Sequence, residues 1–158
     1  MPINRVAIYD MDGTIVDSSH RYRTIIGADN IERIDLQYWR DNEYRAMDDG
    51  LLPLADQYME DNSTDGVYTI IATARVMGDA DWRFVNEILG KPDYFISRAK
   101  GDTRSGSLLK INGLQKFFNL KQFHIADAVF YEDNISYLKA VCDHFQIRGV
   151  YIPSKQGH

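Results

Sequence analysis

The sequence predicts an α/β fold: a parallel sheet with helices on both sides. Three observations predict it. Short apolar runs rich in β-branched and aromatic residues recur along the chain, amphipathic stretches of helical period separate them, and each run closes on polar or turn residues. Residues 5–9 (RVAIY) form the first run and end in acids, and residues 66–72 (GVYTIIA) form the second. Both read as buried strands, because a strand covered on both faces has no polar side to show. Residues 94–97, 128–131 and 149–152 supply three more, so the reading is a five-stranded sheet. The helices follow in the gaps. Leu51 to Met59 carries Pro53 near its start and places Leu51, Leu54, Ala55 and Tyr58 on one face. Asp81 to Leu89 aligns Trp82, Val85 and Leu89 and stops at Gly90, with Pro92 beyond. Ser107 to Phe118 is amphipathic, and Asn134 caps a last helix in which Ile135, Leu138, Cys142 and Phe145 share a face. Residues 18–50 break the rhythm. They hold a turn at Gly27 to Asn30 and a helix from about Leu36 to Met47, and read as a flap inserted between the first strand and the next helix.

Composition bounds the function. A chain of 158 residues, 44% hydrophobic and 26% charged, is the size of one soluble domain, here taken as residues 1–158, and buries about two thirds of its unfolded surface without disulfide or structural metal. The single cysteine, Cys142, has no partner to bridge, and no apolar run reaches the roughly 20 residues of a membrane span. The start lacks a signal-like pattern, so a cytoplasmic protein is expected. A net charge of −5 excludes an extended nucleic-acid-binding surface. That charge is uneven. Residues 41–65 carry eight acids against Arg45, whereas residues 98–121 carry six bases against Asp102, so a single anionic group remains an acceptable partner.

In an open α/β sheet, ligands bind at the carboxyl ends of the strands. The first strand ends in Asp10-Met-Asp-Gly-Thr14, the second in Thr73 with Arg75 two residues on, and the fourth in Glu132 and Asp133; Lys110 and Arg104 follow the third. Two aspartates so spaced divide the labour between nucleophile and proton donor or acceptor. Beside two more acids they repel unless a cation sits among them, and hard oxygen ligands suit Mg²⁺. Lys110 and Arg75 then steady a transferring phosphoryl group, since phosphoryl transfer is largely positioning and charge stabilisation.

These residues resemble, in order, the four motifs of the haloacid dehalogenase superfamily: Asp10-Met-Asp-Gly-Thr14, Thr73, Lys110, and Glu132-Asp133. The resemblance covers nearly the whole chain. Within the superfamily it is most similar to the phosphatase domain of phage polynucleotide kinase/3′-phosphatase and its stand-alone relatives, through Arg21, through Arg75 in Thr73-Ala-Arg75, and through residues 101–110 (GDTRSGSLLK). It implies a Rossmannoid three-layer sandwich with a five-stranded parallel sheet, a small flap at 18–50 and no large cap. It also implies a Mg²⁺-dependent phosphomonoester hydrolase working through an aspartyl-phosphate. In that reading Asp10 is the nucleophile, Asp12 the acid and base, and Thr73 and Lys110 hold phosphoryl oxygens. Asp10, Asp12 through its backbone carbonyl, Asp133 and nearby Glu132 take the metal, and Arg21, Arg75 and Arg104 bind substrate. The expected substrate is a nucleotide or a nucleic-acid 3′-phosphate end. A small-metabolite phosphatase and a non-catalytic nucleotide-binding module remain as alternatives. The aromatic residues Tyr38, Trp39 and Tyr44 of the flap serve either as packing or as a surface for bases.

Overall fold

The computed structural model describes residues 2–124 and 126–154; the expected domain limits, 1 and 158, lie outside them. The chain runs β1 (Arg5–Tyr9), β2 (Val16–Asp17), β3 (Thr24–Ile26), β4 (Glu32–Ile34), α1 (Leu36–Asp41), β5 (Gly50–Leu51), α2 (Ala55–Asn62) and β6 (Val67–Val76). It continues through α3 (Asp79–Phe84), β7 (Tyr94–Arg98), α4 (Gly106–Phe118), α5 (Lys121–His124), β8 (Asp127–Glu132), α6 (Ile135–Phe145) and β9 (Arg148–Tyr151). Short 3-10 turns lie at Ser19–Arg21 and Glu43–Asp48, and a π turn at Val85–Leu89.

Five parallel strands form the sheet in the order β7-β6-β1-β8-β9, as the apolar runs predict. Successive side chains of a strand point to opposite faces, so the all-apolar β1 feeds two cores. Val6 and Ile8 pack with Leu114 and Phe117 of α4 and Val141 of α6. Ala7 and Tyr9 pack on the other face with Ala55 and Tyr58 of α2, Phe84 of α3, and Val85 and Leu89. Three layers result. The chain leaves β1 for β6 and β7 on one side and returns at β8 on the other, which opens a crevice at the carboxyl ends of β1 and β8.

Several helices differ in detail from the periodic pattern. The stretch from Leu51 becomes helical only at Ala55, because Gly50–Leu51 pairs antiparallel with Val16–Asp17 and closes the neck of residues 18–49. In α3 the buried place falls to Phe84, while Trp82 lies at the edge against Phe95 with ring centroids 4.8 Å apart. The π turn that follows, closed by Gly90 N–H on the Val85 carbonyl at 2.8 Å, adds a residue to the turn and shifts the register of the stripe. In α6, Val141 takes the buried position and Ile135 is exposed. The single helix expected over residues 36–47 breaks at Asn42, whose N–H bonds back to Tyr38 and Trp39 before the chain tightens into a 3-10 turn. The hairpin of β3 and β4 flanks the turn at Gly27 to Asn30.

Candidate active site

The loop after β1 is wound around one carbonyl. Met11 O accepts from the N–H groups of Thr14, Ile15 and Val16 at 3.3, 3.1 and 3.0 Å, while Asp10 N–H still bonds to Tyr131 O at 2.9 Å. Asp10 is thereby fixed at the end of β1, and the chain turns sharply behind it. Gly13 makes the turn possible: its φ is +81°, and a Cβ there would stand 2.1 Å from Asp133 Oδ2.

Three buried carboxylates meet at the crevice. Asp10, Glu132 and Asp133 each place an oxygen within 4.8 Å of the others. Lys110, fully buried on α4, donates from Nζ to Asp10 Oδ1 at 2.9 Å and to Glu132 Oε2 at 2.7 Å. Burial disfavours its charge, but the two facing carboxylates more than restore it and hold its pKa above the ordinary value. Thr14 Oγ1 donates to the other Asp10 oxygen at 3.0 Å, and the N–H of Asn134 to Glu132 Oε1 at 3.1 Å. Asn134 also caps α6, accepting from Tyr137 N–H as expected. Asp133 differs from the other two acids. Both of its oxygens are buried and neither has a hydrogen-bond partner. Burial, reinforced by the charge of Asp10, pushes Glu132 up to about 10 and Asp133 up to about 8. One ammonium cannot balance three carboxylates, and an orphaned pair of buried oxygens costs free energy unless a cation or a proton occupies it. This donor set, oxygen only and excess in charge, fits a hard divalent cation.

A second buried cluster adjoins the first. β6 slips its register between Ala72 and Val76, where the three residues 73–75 stand opposite Ser97 alone, and this bulge carries Thr73 and Arg75 inward. The expected strand end at Ala72 is this irregularity. Thr73 Oγ1 accepts from Arg75 N–H at 3.2 Å. Arg75 grips Asp12 in a fork, Nε donating to Oδ2 at 2.9 Å and Nη2 to Oδ1, and Ser18 Oγ donates to the same Asp12 at 2.6 Å. Its Nη1 reaches Asp81 Oδ1 at 2.7 Å. Arg21 meets that same oxygen at 2.8 Å and holds Asp49 through Nε and Nη2, both at 2.9 Å. His20 Nε2 lies 2.7 Å from Asp49 Oδ1.

The fold therefore brings together Asp10, Asp12, Thr73, Lys110, Glu132, Asp133, Arg21 and Arg75. Arg104 stands apart: its guanidinium is 43% exposed and bound to Asp102, two residues away. Lys100 is exposed, whereas Lys110 lies inside the cluster. Asp12 accepts from Arg75 and Ser18 and is not one of the three grouped carboxylates. Sequence reasoning missed Thr14, Ser18, Asp49 and Asp81 as parts of the site. Thr14 was legible from its place in the first motif. Asp49 is hidden in an acidic run whose other members are mostly exposed, and Asp81 reads as an ordinary helix-start acid.

Solved structures of similar fold include a chain of the Pnkp1/Rnl/Hen1 RNA repair complex, with a TM-score of 0.62 at 15% identity over 96% of this chain and 43% of that one. A hydrolase from Streptococcus pneumoniae has a TM-score of 0.59 at 13% identity over 97% and 95%. These likenesses show the fold: a parallel-sheet α/β sandwich of the same architecture, here with the buried acidic cluster at the carboxyl ends of β1 and β8. The profile of the bacteriophage T5 5′-deoxynucleotidase family matches residues 1–146. The chain belongs to that family. It is 28% identical over 137 residues to the 5′-deoxynucleotidase of Escherichia phage T5, a match covering 81% of this chain and about half, 51%, of that relative. No helix among the described residues is long and apolar enough to cross a membrane.

Proposed function

We propose that the chain is a Mg²⁺-dependent phosphomonoesterase that hydrolyses deoxynucleoside 5′-monophosphates to deoxynucleoside and phosphate. The observation that supports it is the Lys110–Asp10 pair at the end of β1, with Asp133 donorless beside it and Asp12 two residues on. The substrate class rests on the name of the phage relative. Asp10, Asp133 and the Asp12 backbone carbonyl would hold the cation, with Glu132 beside them; when bound, it screens the negative charge of the phosphate.

The chain's own residues supply the rest. Lys110 and Thr14 hold the two oxygens of Asp10, so its carboxylate faces the crevice in one orientation. An Asp10 oxygen attacks phosphorus as the phosphorus–ester oxygen bond breaks, and the departing 5′-oxygen takes a proton from Asp12. Asp12 then removes a proton from water, which attacks the aspartyl-phosphate and releases phosphate and free Asp10. Thr73 and Lys110 steady the phosphoryl oxygens during transfer. Glu132 accepts from Lys110 and orients its ammonium.

Phosphate release is measured with Mg²⁺ on deoxynucleoside 5′-monophosphates, their ribonucleoside counterparts, nucleoside 3′-monophosphates, a 3′-phosphorylated oligonucleotide and sugar phosphates. The 5′-deoxynucleotides are expected to give the highest kcat/KM, and Asp10→Asn to abolish turnover. Activity confined to the oligonucleotide or to sugar phosphates removes the substrate assignment, and an active Asp10→Asn removes the mechanism.

A further inference from the structure

Residues 18–50 reach the candidate site through an aromatic ring. Trp39, half-buried on α1, lies over two guanidiniums, with Arg21 Cζ 4.3 Å and Arg75 Cζ 5.0 Å from the ring centroid. Tyr22 stands beside it at 6.5 Å between centroids. The two arginines converge on one oxygen of Asp81, so their like charges sit close together. Asp12, Asp49 and Asp81 offset that charge in the plane of the guanidiniums, and the electron-rich face of Trp39 covers them from above while keeping water out. The face that lies on the arginines is not available to a nucleobase. Tyr38 is similarly occupied over Arg23, with 4.5 Å from Cζ to the centroid.

The geometry points to Trp39 as a positioning residue for Asp12, acting through Arg75. Arg75 is 7% exposed with the ring over it, and its two-pronged grip on Asp12 is strongest without competing water. The docking of residues 18–50 thereby sets the orientation of the proton-transferring carboxylate. The segment also packs against the start of α3: Glu43 Oε1 occupies the place of a Cβ on Gly78, and Gly78 N–H bonds to Asp81 Oδ2 at 2.9 Å. The catalytic part of this inference rests on the proposed phosphatase reaction; the contact itself does not.

Two measurements on Trp39→Ala and Trp39→Phe test it. The first compares a deoxynucleoside 5′-monophosphate with p-nitrophenyl phosphate, whose leaving group departs without a proton donor. A misplaced Asp12 costs the nucleotide reaction part of the roughly 10²–10⁴-fold that general acid catalysis supplies. Trp39→Ala is expected to lower nucleotide kcat/KM at least ~10-fold, to leave that of p-nitrophenyl phosphate within ~3-fold, and to be largely rescued by Trp39→Phe. Losses are compared as kcat/KM, which ends at phosphoryl transfer and excludes the later step in which Asp12 acts as base. Equal losses on both substrates overturn the inference. The second follows hydrogen exchange of the Arg75 Nε–H by nitrogen-15 NMR, with the signal assigned through Arg75→Lys. Exchange at least ~10-fold faster in Trp39→Ala supports the contact, and unchanged exchange overturns it. If the unaltered protein hydrolyses neither substrate, the phosphatase reading fails, and the exchange rate alone decides whether Trp39 holds Arg75.

Discussion

Replacing Asp133 with asparagine is expected to stabilise the metal-free protein while destroying its response to Mg²⁺. The carboxyl is 2% exposed, finds no donor, and is pushed up to about 8 by burial and by Asp10. An unfolded aspartate releases its proton near 3.9, so between about pH 4 and 8 the native state holds a proton that the unfolded state has lost. Stability therefore falls as pH rises across that window, and the whole penalty is present above it. At about 1.4 kcal/mol per pH unit, three units from 3.9 to pH 7 give a ceiling of about 4 kcal/mol. Sharing of the proton with Glu132 brings the expectation to about 2–4 kcal/mol. Asparagine has nearly the same shape, carries no charge and can donate to Asp10. Urea unfolding at pH 5.5, 7 and 8.5 checks this in EDTA and again with Mg²⁺. In EDTA the variant should unfold later than the parent at pH 7 and show a flatter pH dependence; with Mg²⁺ only the parent should gain. A variant less stable than the parent in EDTA at pH 7, or one that Mg²⁺ stabilises equally, refutes the reasoning.

Two further substitutions separate chemistry from scaffolding. Gly13→Ala forces a side chain into a left-handed turn and against Asp133, which costs about 1–3 kcal/mol in thermal unfolding and abolishes phosphate release. Arg21→Met leaves Asp49 buried without its main partner and is expected to lower stability by about 3–5 kcal/mol in urea. A variant of normal stability with a raised KM instead assigns Arg21 to substrate binding.

Much of the fold was legible because its signals are local. Each strand of the parallel sheet is a short run of apolar residues, and the alternating side chains of RVAIY supply both cores whatever surrounds them. Asn134 caps α6 through a contact three residues long. Errors arose where long-range contacts overrode the local pattern. Leu51 belongs to the helical face by spacing, yet its pairing with Val16 draws it into a strand. Trp82 fits the stripe of α3 by period, but the π turn after it changes the period, and nothing in VNEIL announces a π turn.

The candidate site divides in the same way. Asp10, Asp12, Thr73, Lys110, Glu132 and Asp133 are each tied to the end of a strand or the inner face of a helix, so the sheet topology assembles them almost automatically. Arg21, Asp49 and Trp39 come from residues 18–50, where the backbone is a hairpin, a short helix and 3-10 turns with no periodic signal. Composition marks residues 41–65 only as an acidic run, yet Asp49 within it closes an ion-pair network with Arg21, and Asp61 is buried against Tyr9 OH at 2.6 Å. Composition counts charges without their partners, and it is the partner that decides whether a buried carboxylate holds two segments together or waits for a cation. Asp49, gripped by Arg21, is the first kind; Asp133, with neither oxygen met, is the one to which the proposed reading assigns Mg²⁺.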